Sequence, residues 1–160
     1  MSRYHELAAK IDAFFARVAA RHGADMACNS GCSDCCHVRL SVTAVEAAAI
    51  RDEVATWDTA RRAELARTVA AAAPERCAAL DGGGRCLIYG ARPVVCRSHG
   101  APIRMTRRSL PVVESCFRNF TSTTPDPDCV LDQTTLSALV LAVNGGNDGR
   151  ADLAELLASC

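Results

Sequence analysis

The chain has 160 residues, which suits one compact domain, and its 18 basic side chains balance 18 acidic ones. This balance excludes a global electrostatic attraction to nucleic acid or to an anionic membrane, and no apolar run approaches the roughly 20 residues that span a bilayer. The first residues carry acid early and lack the apolar core of a signal peptide, so we expect a cytoplasmic protein that binds neither nucleic acid nor membrane.

The first third of the chain has helical periodicity. Apolar residues recur at helical spacing over 3–22, which predicts a first helix that ends at Gly23. Thr43 and Glu46 have the spacing of a capping box, which predicts the start of a second helix that runs to about Trp57. A third, alanine-rich helix follows, with Thr59 as its expected cap, and continues up to Pro74.

The middle of the chain is expected to be less regular. Residues 77–99 contain the glycine-rich turn 81–84 and few large apolar side chains, so burial alone is not expected to hold this segment in shape. Pro93 suits the first position of a short helix. The segments 103–105 and 110–113 are predicted to pair as a hairpin.

The end of the chain is predicted to be helical again. Asp132 is expected to cap a helix that ends at 144–146, and a last short helix is expected over roughly 150–158. The predicted fold class is therefore mainly α, with helices around a loop-rich cysteine centre and one small β-hairpin. We expect a single domain over 1–160, made of a metal-binding core at 25–118 and C-terminal helices at 130–160.

Cysteine is the residue type that departs most from an ordinary composition, with ten in the chain. Without an export signal, such crowded thiols are expected to be reduced and to bind metal rather than to form disulfides. The strongest signal is the quartet Cys28, Cys32, Cys35 and Cys36. On a helix their sulfurs would fall within an arc of about 100°, whereas a break at Gly31 would place them along a loop, as in many iron–sulfur sites.

A second group consists of Cys77, Cys86 and Cys96. Glycine- and proline-rich turns around these cysteines let the backbone approach closely, so that amides can donate hydrogen bonds to sulfur. Arg92 and Arg97 either offset the charge of a thiolate centre or are ordinary ion-pair residues.

These motifs resemble the YkgJ-type cysteine-cluster family, whose CxxCxxCC domain is described as zinc- or iron-chelating. The residues that carry the resemblance are Cys28-x3-Cys32-x2-Cys35-Cys36, Glu46, Cys77, Cys86-x-Ile88-Tyr89 and Arg92-Pro93-x2-Cys96-Arg97. The resemblance covers roughly residues 25–118 and implies metal binding. The family is related by this motif to flagellin lysine methylases, which implies an iron–sulfur centre without implying methylation by this chain.

The remaining cysteines divide into one expected ligand and two incidental thiols. Cys116 follows the predicted hairpin and is expected to bind metal, whereas Cys129 in a polar loop and Cys160 at the last position are expected to be free thiols. The predicted metal ligands are Cys28, Cys32, Cys35, Cys36, Cys77, Cys86, Cys96 and Cys116.

A few other side chains are alternatives for the site. His37 and His99 lie beside cysteines and are either ligands or hydrogen-bond donors to sulfur. Glu46 is a ligand, an acid–base group or a helix cap, and the cap explains its spacing. His5 and His22 are expected to be exposed helix residues.

Eight thiolates exceed one mononuclear site, since a structural zinc ion and a four-iron cluster each take four ligands. They therefore suit two sites, or one multinuclear site. The uneven cysteine pattern favours iron, as an iron–sulfur cluster with a redox or accessory role. The alternatives are a zinc-stabilised interaction module, or a metal-dependent enzyme with Glu46 or His99 as acid or base.

Overall fold

A computed structural model describes residues 2–29 and 31–160 of the chain. Helices make up most of its regular structure, with short strands between them. The α-helices of the described residues are α1 (Arg3–Arg21), α2 (Ala44–Ala55), α3 (Thr59–Ala71), α4 (Val94–Ser98), α5 (Gln133–Val143) and α6 (Leu153–Ala158). The strands are β1 (Ser41–Thr43), β2 (Ile103–Arg107), β3 (Leu110–Glu114), β4 (Leu131–Asp132) and β5 (Arg150–Asp152). Short 3₁₀ turns cover Gly23–Asp25, Asp34–Cys36, Tyr89–Ala91 and Pro127–Cys129. Among the helices described, none is both long and apolar enough to cross a membrane.

The residues pack into two compact units, each formed from two segments. Unit 1 comprises Met1–Asn29 and Val94–Gly146, and unit 2 comprises Ser30–Pro93 and Asn147–Cys160. The single-domain organisation over 1–160 stays a prediction.

Unit 1 is built on α1, which packs against α4 and α5. The side chain of Ser2 accepts a hydrogen bond from the His5 amide and thereby caps this helix. Strands β2 and β3 form the predicted antiparallel hairpin, and β4 pairs with β2 in parallel. Arg108 and Ser109 both have positive φ, as expected for a two-residue hairpin turn whose twist matches the strands. The buried face of α1 carries Tyr4, Leu7, Ala8, Ile11 and Val18.

Unit 2 contains α2, α3 and α6, with α3 packed on α6. The amide and hydroxyl of Thr43 both donate to the carboxylate of Glu46, at 2.8 and 2.9 Å, which confirms the predicted capping of α2. Strands β1 and β5 form an antiparallel ribbon in which Val42 lies opposite Ala151. The core of this unit includes Val42, Ile50, Val54, Trp57, Leu65, Ile88, Leu153, Leu156 and Leu157.

Two local predictions need correction. The cap of α3 is Asp58 rather than Thr59, because the Asp58 side chain accepts a hydrogen bond from the Arg61 amide. The last helix begins at Leu153 rather than near residue 150, because Arg150–Asp152 pairs with β1 as a strand.

Candidate metal centre

The eight predicted ligands are divided between the two units. All ten cysteines of the chain lie among the described residues, and none of them is in a disulfide. Unit 1 contains Cys28, Cys96 and Cys116, and unit 2 contains Cys32, Cys35, Cys36, Cys77 and Cys86.

The first cysteine segment of unit 2 is a loop with one tight turn. Gly31 has φ +92°, a left-handed value that a right-handed α-helix does not admit. Cys35 and Cys36 lie in the short turn Asp34–Cys36, where the Cys36 amide donates to the Ser33 carbonyl at 2.9 Å. The loop alternative for the quartet is therefore the one that the structure adopts. The Sγ atoms of Cys35 and Cys36 are 3.9 Å apart.

The second cysteine segment of unit 2 is a narrow loop joined to the first. The Cys77 amide donates to the Cys36 carbonyl at 2.8 Å. Leu80 and Cys86 face each other in an isolated antiparallel bridge, and the Asp81 carboxylate closes the turn by accepting from the amides of Gly83 and Arg85, each at 2.8 Å. These bonds, led by the one from the Arg85 amide, hold the pKa of Asp81 below its usual range.

Burial in this second segment is greater than the sequence suggests. Leu80 and Ile88 are 4% and 1% exposed and belong to the core of unit 2, together with Ala78 and Ala79. The expected shortage of burial is therefore wrong for this loop, whereas the dependence of its shape on metal stays a prediction. Ala78 and Ala79 add to this burial because their small side chains let the loop backbone pack closely on the core.

Backbone amides counteract burial at two of the sulfurs. Burial raises the pKa of Cys77 and raises that of Cys86 to about 11, whereas the Ala79 amide acts to lower the first pKa and the Ile88 amide acts to lower the second. The two amides therefore favour the thiolate forms, although burial outweighs them.

Four sulfurs of unit 2 influence one another. The pKa of Cys36 is strongly raised, first by its hydrogen bond with Cys35, then by burial and by the charges of Cys35, Cys77 and Cys86. We refer to Cys35, Cys36, Cys77 and Cys86 as the four-sulfur group. Without a cation the raised pKa values keep the thiols of Cys36, Cys77 and Cys86 protonated at neutral pH, whereas a bound metal stabilises the thiolates and releases the protons.

The four-sulfur group has the donors for a thiolate-bound metal, and one pair of its sulfurs has the spacing. Tetrahedral sites with four sulfur ligands select zinc or iron–sulfur centres. Metal–sulfur bonds of about 2.3 Å place two sulfurs of one tetrahedral ion about 3.8 Å apart, close to the 3.9 Å between Cys35 and Cys36. The donor types of the group therefore fit a metal bound through thiolates, and the Cys35–Cys36 pair fits two ligands of one ion.

Cys32 is half-buried in unit 2, near the glycine turn of the second segment. A Cβ atom placed on Gly84 would lie 3.4 Å from the Ser33 Oγ atom and 3.6 Å from the Gly31 carbonyl oxygen. The Gly31 backbone and the Ser33 side chain, on either side of Cys32, therefore pack against this turn. Its role as a ligand stays a prediction.

The cysteines of unit 1 share one buried asparagine. Asn119 is 3% exposed, and its amide nitrogen donates to the Cys28 sulfur at 3.2 Å and to the Gly100 carbonyl at 2.8 Å. Its own backbone amide donates to the Cys116 carbonyl at 2.8 Å. Gly100 follows the helix α4 that carries Cys96, so these contacts draw all three cysteine segments together. The sequence gives no sign of this role for Asn119.

The other predicted site residues have distinct positions. His37 and His99 are both exposed, and their ligation stays a prediction. Glu46 is 3% exposed and accepts the capping bonds from Thr43, so it is used as a helix cap. Arg92 lies over the Tyr89 ring and its charge lowers the pKa of Cys86.

Arg97 has a different role from Arg92. It is buried and forms an ion pair with Asp12 inside unit 1. Of the two arginines that were expected either to offset thiolate charge or to form ordinary ion pairs, Arg92 therefore acts on a thiol, and Arg97 pairs with a carboxylate.

Comparison with known proteins gives one match. A family model described as "CxxCxxCC: Putative zinc- or iron-chelating domain" matches residues 27–126, which is more than half of the chain and includes all eight predicted ligands. No curated protein and no solved structure matches the chain.

Proposed function

The chain belongs to the CxxCxxCC family of metal-chelating domains, and we propose that its four-sulfur group binds iron, with Cys35 and Cys36 on the same iron atom. Membership of the family supports metal binding through cysteine. The identity of the metal and the pairing of the ligands are our proposal.

The single observation that supports this pairing is the 3.9 Å distance between the sulfurs of Cys35 and Cys36. Two ligands of one tetrahedral ion have this separation. In a four-iron cluster each of the four cysteines binds a different iron. Two cysteine sulfurs of such a cluster therefore lie farther apart than two ligands of one ion. A single iron with four thiolates, or a two-iron cluster with two thiolates on each iron, fits better.

The proposed role is redox or accessory. Iron in such a centre supplies one-electron chemistry when bound. The chain contributes the amides of Ala79 and Ile88, which favour the thiolate forms of Cys77 and Cys86, and the positive charge of Arg92, which favours the thiolate form of Cys86. Because Cys35 is exposed, the centre has one ligand at the surface, where a partner could exchange electrons or metal.

Zinc in the same four ligands is the second candidate. The 3.9 Å spacing of the Cys35 and Cys36 sulfurs fits zinc as well as it fits iron. Four thiolates would complete the coordination of a zinc ion, as in a structural site. Under this candidate the chain is an interaction or structural module without chemistry of its own.

Metal analysis and Mössbauer spectroscopy of anaerobically purified protein test the proposal. We expect iron, visible absorption that dithionite bleaches, and a mononuclear or two-iron signal that disappears in Cys36→Ser but persists in Cys160→Ser. A four-iron signal that depends on Cys36 would overturn the shared-iron pairing. Colourless protein that contains only zinc would overturn iron and leave the zinc module.

Three of the four remaining predicted ligands, Cys28, Cys96 and Cys116, are proposed to form a second thiolate group within unit 1. The contacts of Asn119 support this grouping, because they link the segments that carry all three. Substitution of Cys28 by serine should lower the metal content without removing the signal that depends on Cys36.

A further inference from the structure

We propose that unit 1 contains an additional metal site, formed by His22, Asp126 and Cys129, which binds a divalent ion of the zinc class. One ligand atom from each of these residues lies within 4.8 Å of the other two. The set offers nitrogen, oxygen and sulfur donors. Three protein ligands of these types are typical of zinc sites that keep a fourth position open for water or substrate.

The ring of His22 is oriented for ligation. Its Nδ1 atom lies 3.6 Å from the Asp25 carboxylate, whereas its Nε2 atom lies 3.4 Å from the Asp126 carboxylate. Metal-binding histidines usually direct their second ring nitrogen at a carboxylate, which holds the proton there. The Nε2 atom then has the lone pair, which accepts a hydrogen bond from the Asp126 amide at 3.4 Å and which a metal ion would take over. The Phe120 ring packs edge-on against His22, with centroids 5.2 Å apart, and restricts its rotation.

The other two ligands come from one tight turn. The Cys129 amide donates to the Asp126 carbonyl at 2.9 Å, so that both side chains are presented from the turn Pro127–Cys129 and the residue before it. Cys129 is fully buried, whereas the Asp126 side chain is 50% exposed. The site therefore has a buried sulfur on one side and access for an ion on the other.

Arg21 provides positive charge at this site. Its Nη1 atom is 2.6 Å from the Asp128 carboxylate, but 3.6 Å from the Asp126 carboxylate and 3.9 Å from the Cys129 sulfur. An incoming cation displaces the two longer contacts of Arg21, since Asp128 retains the short one, together with the 3.4 Å hydrogen bond from the Asp126 amide to the His22 Nε2 atom. The guanidinium therefore opposes metal binding by charge repulsion without blocking it.

This site uses none of the eight predicted cysteine ligands. His22 and Cys129 lie outside the residues 27–126 that match the family model. The sequence predicted an exposed His22 and an incidental Cys129, but the His22 side chain is only 12% exposed and Cys129 is buried. His22 lies far in the sequence from Asp126 and Cys129, so no sequence motif could have revealed the site.

The test uses the full chain, with zinc stoichiometry measured by native mass spectrometry and affinity measured by competition with a chromogenic chelator. We expect wild-type protein to hold one more zinc ion than His22→Gln, and Asp126→Asn to weaken that ion. Asp25→Asn should weaken it about 10–100-fold through loss of ring orientation. Arg21→Gln should strengthen it by removing charge repulsion.

The controls separate this site from the four-sulfur group. His5→Gln, on the same helix, should leave the stoichiometry unchanged, and Cys36→Ser should leave this ion bound. The test changes His22, at the end of α1, so that the buried Cys129 does not have to be substituted. Equal zinc stoichiometry and affinity in wild type and His22→Gln would overturn the proposal.

Discussion

The backbone amide of Cys77 donates a 2.8 Å hydrogen bond to the carbonyl of Cys36. This bond joins two cysteine segments that are distant in the sequence and brings their chains side by side within unit 2. It places Cys77 next to the pair whose sulfurs lie 3.9 Å apart. The four-sulfur group is thus organised by main-chain contacts in addition to any metal, and its response to pH and to metal removal can be predicted.

The metal-free protein should lose stability at alkaline pH. The pKa values of Cys36, Cys77 and Cys86 are raised above the ordinary thiol value of 9.0, that of Cys86 to about 11. Between pH 9 and about 11 the unfolded chain has lost protons that the folded chain still holds, so a rise in pH favours unfolding. Below pH 9 this contribution is fully present.

Urea denaturation of the metal-free chain across this pH range measures the effect. Substitution of Cys86 by alanine should flatten the dependence, because it removes one of the groups concerned. Metal-loaded protein should not show the same loss, since its thiolates carry no proton to release. A metal-free stability that rises between pH 9 and 11 would contradict the assigned direction of these pKa shifts.

Gly100→Ala should destabilise unit 1 and displace Cys28. A Cβ atom at this position would lie 2.7 Å from the Cys28 sulfur, and the residue has φ +94°. Gly145 is a matched control, because it also has positive φ but nothing within 4 Å of a Cβ atom. Backbone strain of about 1–2 kcal/mol is expected at both positions.

The steric contact should add roughly 1–3 kcal/mol at position 100 alone. Chemical denaturation of the two variants compares these costs directly. Equal losses of stability would mean that the Cys28 sulfur moves aside freely, and that the close approach to Gly100 has no part in fixing its position.

Asn119→Ala should loosen Cys28 while leaving unit 2 unchanged. The substitution removes the donor to the Cys28 sulfur and leaves the Ala27 amide, at 2.8 Å from the Asn119 side-chain oxygen, without that acceptor. Loss of buried hydrogen bonds of this kind costs about 1–3 kcal/mol. Faster alkylation of Cys28 in the metal-free variant, with unchanged rates at Cys86, is the expected result. Substitution of the exposed Asn29 serves as the control.

The sequence was sufficient for two helix caps, although it misplaced the cap of α3 by one residue. The spacing of Thr43 and Glu46 predicted a cap, and Asp132 predicted another, because each cap is a bond between residues three apart. The pairing of β1 with β5 could not be predicted in this way. It depends on Val42 meeting Ala151 from the far end of the chain, and a strand of three residues has no periodicity to detect.

The candidate site also has local features that the sequence shows and long-range contacts that it does not show. Cysteine spacing predicted the type of ligand, because a cluster of thiols in a short segment is a local feature. It could not reveal that Cys28 belongs to one unit and Cys36 to another. Nor could it reveal Asn119, whose function depends on a contact with Cys28 that only the folded chain creates.

The last prediction concerns how far the fold depends on metal. The turn Asp34–Cys36 is largely exposed and is held to the neighbouring loop by the bond from the Cys77 amide. The loop itself has support of its own: Leu80 and Ile88 are in the core, and the Leu87 amide donates to the Ala79 carbonyl at 2.9 Å. Metal–thiolate bonds should therefore matter most for the turn.

Hydrogen exchange before and after chelation measures this dependence. We expect the amides of Cys36 and Cys77 to lose protection when metal is removed, and the Leu87 amide to keep it, because buried apolar contacts persist without the ion. Cys36→Ser should reproduce the pattern and Cys160→Ser should not. If the Leu87 amide also loses protection, the free energy of metal binding is needed to fold the whole loop. Burial of Leu80 and Ile88 would then be a consequence of metal binding rather than an independent support.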